Sequence, residues 1–135
     1  MIVGIGTDIV KVSRIAASLE RKGDALARRI LTPGELARFH ASRVPAAFLA
    51  KRFAAKEAAS KAFGTGIGRI SWQDLEVVNN EDGAPRLLCH GNAAMRMREL
   101  GATQVHISLA DEEDAALAFV ILSAGLVGGD VGGAG

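Results

Sequence analysis

An aspartate after a strand-like run, a glutamate among alanines and a lysine one helical turn beyond it are the residues of this chain best suited to chemistry. Asp8 stands in Gly4-Ile5-Gly6-Thr7-Asp8-Ile9-Val10. Just beyond a strand, an aspartate suits a helix N-cap, and with a second carboxylate beside it the same residue could hold a metal. Glu57 is the candidate for that second carboxylate, because Ala54, Ala55, Ala58 and Ala59 leave open space above the backbone around it. Two carboxylates in small surroundings suit a hard cation such as Mg²⁺, which keeps several waters and takes its remaining ligands from substrate phosphates. Glu57 also precedes Lys61 by four residues, the orientation of a helical ion pair worth only ~0.2–0.5 kcal/mol; the two roles are compatible. Lys61 beside a formally neutral metal site would add the positive charge that a transferring phosphoryl group requires. Arg52 and Lys56 lie nearby on the helix flank. The run Gly64-Thr65-Gly66-Ile67-Gly68 could admit close approach of a ligand, although it follows a helix, whereas phosphate loops open one.

The elements that must position these residues can be read from periodicity. Met1 to Gly6 reads as a strand, with a helix from about Val10 to Lys22 whose inner stripe is Val12, Ile15, Ala16 and Leu19 and whose outer positions, Lys11, Arg14, Arg21 and Lys22, are basic. A second helical stretch carries Arg28 and Arg29. Thr32-Pro33-Gly34-Glu35 has the pattern of a capping box with proline at the first helical position, opening a short helix to about Ala41. The alanine-rich stretch after Pro45 predicts a long helix ended by Gly64. Trp72 to Val78 and Arg86 to Cys89 read as strands around a turn at Asn80–Gly83, and Asn92 to Leu100 as a helix. Gln104 to Leu109 alternates, Ala115 to Ser123 is apolar on both faces, and the acidic tetrad 111–114 would join them as a hairpin. Helices on one side of a mainly antiparallel sheet define an α+β fold.

Composition narrows the function classes. The chain has 135 residues, 49% hydrophobic and 23% charged, which excludes general disorder and predicts a single domain over 1–124 with a glycine-rich, disordered tail over 125–135. The apolar run Ala115–Leu122 is far short of the ~20 residues of a membrane-spanning helix, and Met1 is followed by no basic leader, so no membrane association or export is expected. A lone cysteine, Cys89, reads as a buried strand residue in a protein of the reducing cytoplasm. Of the histidines, His40 is placed at the surface, His90 at a strand end without a partner, and His106 on the face opposite Val105 and Ile107. The net charge of +1 conceals a division: residues 1–61 carry twelve Lys/Arg against five Asp/Glu, and residues 62–135 four against ten. Such a field steers acidic partners toward one face. Nucleic acid is not the expected partner, because five Phe, one Trp and no Tyr offer few bases a stacking platform.

The order and separation of GIGTDIV, RFAAKEAASKAFGTGIG and VHISLADE, supported by RILTPGEL, the stretch from Trp72 to Asp82 and GAPRL, resemble the holo-(acyl-carrier-protein) synthases, the short type of 4′-phosphopantetheinyl transferase. The resemblance spans about residues 2–123. It implies Mg²⁺-dependent transfer of the phosphopantetheine arm of coenzyme A to a serine of apo acyl carrier protein, as in fatty acid biosynthesis, by a homotrimer with sites between subunits. It assigns the metal to Asp8 and Glu57, the transferred phosphate to Lys61, and coenzyme A to Arg52 and the turn containing Gly64 and Gly66. Arg14 and Arg29 match basic positions that meet the carrier protein, which would account for the basic first half. One position departs from the pattern: where many members have a histidine near the nucleotide end of coenzyme A, this chain has Asp111 in Ser108-Leu109-Ala110-Asp111, which offers a phosphate no cationic donor. Two other classes fit the residues: a Mg²⁺-dependent hydrolase of nucleotide pyrophosphates, and a non-enzymatic adaptor that binds an acidic protein through Arg14 and its neighbours.

Overall fold

A computed structural model describes residues 1–125. Its architecture is α+β. The longest strands, β1 (Ile2–Lys11), β4 (Gln104–Glu112) and β5 (Ala115–Ser123), form an antiparallel sheet in the order β1-β5-β4, and β2 (Leu75–Asn79) pairs with β3 (Pro85–Cys89) in a second, two-stranded sheet. The helices are α1 (Val12–Lys22), α2 (Ala25–Ile30), α3 (Pro33–Ala41), α4 (Pro45–Phe63) and α5 (Gly91–Leu100).

Helix α4 organises the core. Its alanines favour the helix, Pro45 starts it, and Gly64 ends it in the left-handed conformation at φ 75°. Leu49, Ala50, Ala54, Ala55, Ala58, Ala59 and Phe63 are fully buried, and the sheet contributes Ala116, Ala118, Val120 and Leu122 from the facing side of β5. The small side chains let backbones meet. Strand β1 crosses α4 at Gly4 and Gly6, where an added Cβ would collide with the carbonyl oxygens of Ala62 and Ala58 respectively. Alternation then leaves the other side of the sheet without cover: Ile5 and Ile9 of β1 and Phe119 of β5 are half or more exposed.

The sequence-based expectations hold for the capping box, in which Thr32 and Glu35 bond reciprocally at the start of α3, and for the β4–β5 hairpin. Strand β1 runs five residues further than the periodicity indicated, because Thr7 to Lys11 pair with Phe119 to Ala115 of β5. Asp8 therefore sits inside a strand and caps no helix. Trp72–Asp74 forms a 3₁₀ turn before β2, closed by the Ser71 amide donating to Asp74 Oδ2 at 3.0 Å and the Asp74 amide donating to the Ser71 carbonyl at 3.1 Å. Beyond Gly125 the expected disordered tail lies outside the described residues.

Candidate active site

In β1 the residues Gly4, Gly6 and Asp8 face α4 in succession, and the absent side chains at the two glycines bring the strand close enough for Asp8 to meet the helix at Glu57 and Lys61. Lys61 Nζ donates to the Thr7 carbonyl at 3.0 Å and to Asp8 Oδ1 at 3.1 Å. The ion pair expected between Glu57 and Lys61 is thus replaced by one between Lys61 and Asp8. Burial, and after it the neighbouring Asp8 carboxylate, push the Glu57 carboxyl above its ordinary range, with Lys61 opposing. Two carboxylates and one ammonium leave an excess of negative charge.

A divalent cation would relieve that excess, so the donor set fits Mg²⁺. Among the described residues no group of three or more His, Cys, Asp or Glu side chains converges on a metal position. A cation held by Asp8 and Glu57 would therefore have coordination positions left for water and phosphate oxygens. The three residues line a cleft of about 1030 Å³, closed on its other side by Arg14 and Arg21 of α1 and by Glu112 and Glu113 of the hairpin. That volume suits a large cofactor-sized ligand, and the lining offers both signs of charge, with Lys11, Arg14, Arg21 and Lys61 as cations for anionic groups of a ligand.

The remaining site expectations fare differently. Arg52 does not reach this cleft: its side chain is buried, its Nη2 donates to the Val77 carbonyl and to Asn79 Oδ1 at 3.4 Å each, and its guanidinium lies 3.9 Å from the centre of the Phe48 ring. Lys56, read as a flanking residue, is wholly buried on the far side of the helix. Its ammonium donates to Glu35 Oε1 at 2.6 Å, the Ile30 carbonyl at 2.7 Å and the Trp72 carbonyl at 3.1 Å. Burial lowers its pKa and Glu35 opposes the shift. Gly64 is exposed and Gly66 half-buried, but the amides of residues 64–66 all turn back onto α4, to Lys61 and Ser60 carbonyls. Arg29 is exposed on α2, away from the lining of the cleft. His90, expected without a partner, lies 3.1 Å from Glu76 Oε1; the two approach because Glu76 pairs with Leu88 across β2 and β3. Cys89 is half-buried, and burial pushes its thiol up to about 11.

Sequence reasoning passed over Gly4 and Gly6, although a GxG spacing in a strand signals a face with no room for side chains. It also passed over Glu35 beyond its capping role. Glu35 additionally accepts from the Val77 amide at 2.8 Å, and no local pattern announces that contact 42 residues away.

The chain belongs to the 4′-phosphopantetheinyl transferase superfamily, whose family model matches residues 4–120, and is an enzyme of that class. Within it, the chain is 55% identical over 122 residues to the holo-[acyl-carrier-protein] synthase of Shewanella baltica (strain OS185), covering 90% of this chain and 96% of that protein. The crystal structure of the Neisseria meningitidis holo-[acyl-carrier-protein] synthase superposes with a TM-score of 0.85 at 44% identity, covering 91% of this chain and 99% of that one. The Bacillus anthracis holo-(acyl-carrier-protein) synthase, solved in complex with CoA (3′,5′-ADP), gives 0.76 at 38% identity over 90% of this chain and 96% of that one.

Proposed function

We propose that the chain transfers the 4′-phosphopantetheine arm of coenzyme A to a serine of apo acyl carrier protein, at the cleft where Asp8, Glu57 and Lys61 converge opposite Arg14. That convergence carries the reading. In the reaction the serine oxygen forms a bond to the β-phosphorus as the bond to the adenylate side of the pyrophosphate breaks. The serine gives up its proton, and adenosine 3′,5′-bisphosphate leaves with the electron pair. Asp8 and Glu57 would hold Mg²⁺, which when bound neutralises charge on the pyrophosphate. Lys61, anchored by Thr7 and Asp8 with its side chain 53% exposed, presents a cation to the same phosphates. Arg14, with Arg29 further along the basic face, would receive the acidic carrier. Of the coenzyme A contacts implied by the family resemblance, the turn at the exposed Gly64 and half-buried Gly66 could meet a ligand by its surface rather than by its amides, and the Arg52 side chain is already engaged. Arg52 would thus act by holding α4 against β2.

The uncovered apolar face of Ile5, Ile9 and Phe119 supports a homotrimer in which neighbouring subunits cover this surface and complete the cleft. No helix among the described residues is long and apolar enough to cross a membrane, and a cytoplasmic location is part of the proposal. The test is to incubate the protein with coenzyme A, Mg²⁺ and apo carrier and weigh the carrier by mass spectrometry. A carrier heavier by one phosphopantetheine supports the reading; free phosphopantetheine released without carrier would identify a hydrolase. Sedimentation at micromolar concentration should give three times the 14.0 kDa chain, and a fully active monomer would refute the shared site.

A further inference from the structure

Helix α1 starts without a cap of its own. It follows β1 with no intervening loop, its N-cap residue is Lys11, and the Lys11 side chain makes no capping hydrogen bond. The first amides of a helix have no partners within it, yet here two are satisfied from a distant part of the chain. The Val12 amide donates to the Asp114 carbonyl at 2.8 Å, the Ser13 amide to Asp114 Oδ1 at 2.8 Å, and the Ser13 hydroxyl to Asp114 Oδ2 at 2.5 Å. Asp114 lies in the β4–β5 turn, just before Ala115 pairs with Lys11. The preceding residue, Glu113, has φ 50°, the only positive φ outside glycine among the described residues. A non-glycine residue held there costs free energy, and in this turn it presents both the carbonyl and the carboxylate of Asp114 to α1. An acidic group at a helix N-terminus also meets the positive end of the helix dipole.

We propose that Asp114 is a positioning residue for carrier docking: supplied by the hairpin, it caps α1 and fixes the first turn, where Arg14 stands, over the cleft. The proposal rests on the assignment of α1 to the carrier. Both oxygens of the Asp114 carboxylate are used on Ser13, so the residue acts through α1.

The experiment is steady-state transfer with each substrate varied in turn. Asp114→Ala should raise KM for the carrier by up to about fivefold, the limit reached when the whole free energy of a lost cap appears in carrier binding, with kcat and KM for coenzyme A within about twofold. Asp114→Asn keeps an acceptor for the Ser13 amide and should restore most of the carrier KM. Ser13→Ala should give a smaller rise, and combining it with Asp114→Ala should add nothing, because the hydroxyl contact that Ser13→Ala removes is one of the two that Asp114→Ala already removes. Equal rises for both substrates, an Asn variant as poor as the Ala variant, or additive effects would overturn the proposal. An unchanged Asp114→Ala alongside an active wild type would overturn this cap alone. A wild type that modifies no carrier would overturn both the cap and the functional reading.

Discussion

Two adjacent residues of α4, Lys56 and Glu57, head two charged clusters that could hardly be more different. Lys56 is completely enclosed, and all three of its donors are directed at oxygens of Ile30, Glu35 and Trp72. Glu35 in turn bonds Thr32 and Val77. That cluster, which Arg52 joins with its Nε 3.8 Å from Glu35 Oε2, encloses its own charges and ties α2, α3 and β2 to one helix. One residue along, Glu57 faces Asp8 across the cleft with only Lys61 between them to offset two negative charges. Satisfied buried polar networks specify a structure; a half-exposed cluster of perturbed groups in a cleft is where chemistry is found. The comparison teaches that residue type does not separate the two. Both contain a lysine and a glutamate, and only the direction in which α4 presents them tells framework from site.

The sharpest way to break the comparison is to remove one member of each cluster. Asp8→Ala and Glu57→Ala should each lower transfer on the order of 10³-fold, as for loss of a group that stabilises transition-state charge, while circular dichroism shows an unchanged fold. Retained activity at ordinary Mg²⁺ would place both carboxylates with the framework. Lys56→Met should do the reverse: urea unfolding should show a loss of about 2–3 kcal/mol, because Glu35 loses its nearest cation and the Ile30 and Trp72 carbonyls lose their donor, with Arg52 Nε at 3.8 Å left as the remaining ion-pair partner of Glu35 and kcat near normal for the protein that stays folded. Gly6→Ala should blur the division. Its new methyl group pushes β1 off the Ala58 carbonyl, so it should cost about 1–3 kcal/mol as an overpacked core does and should lower kcat as well. The smallest effect is expected of Glu57→Gln in metal-free buffer, where it should slightly raise the melting temperature at neutral pH. The Glu57 carboxyl is raised in the fold relative to the unfolded chain, so its ionised form costs stability above that pKa, and the cost vanishes as pH falls through it. The advantage of Gln should therefore shrink on acidification, and an advantage independent of pH would contradict the unbalanced charge at the site.

Much of this was legible in the sequence where the deciding contact is local. The Thr32–Glu35 box, the Gly64 stop and the hairpin each depend on residues within a few positions of one another; the first two occur as read, and the hairpin occurs with its turn narrowed to Glu113 and Asp114, because Asp111 and Glu112 pair with Ala116 and Ala115. The candidate residues Asp8, Glu57 and Lys61 also converge. What could not be read depends on partners far along the chain. Asp8 looked like a cap because its strand pairing with Ala118 is 110 residues away. Lys56 looked like a companion of Glu57 because α4 is buried almost all round, so no apolar stripe marks which side faces the core. Lys61 was assigned to Glu57 by helical spacing, and the competing carboxylate arrives on a different element.

The glycines of β1 carry a consequence for how adjustable the site can be. Where side chains separate a strand from a helix, rotamer changes let the gap breathe and let drift in sequence alter it by fractions of an ångström. At Gly4 and Gly6 main chain rests on main chain, and there is nothing between the two elements to compress, rotate or swap. The spacing of the carboxylates is therefore a gauge set by the backbone, with low compliance. A designer who wished to fit a larger ion would have to change the length of the acidic side chains themselves, because no repacking beneath them can move their roots.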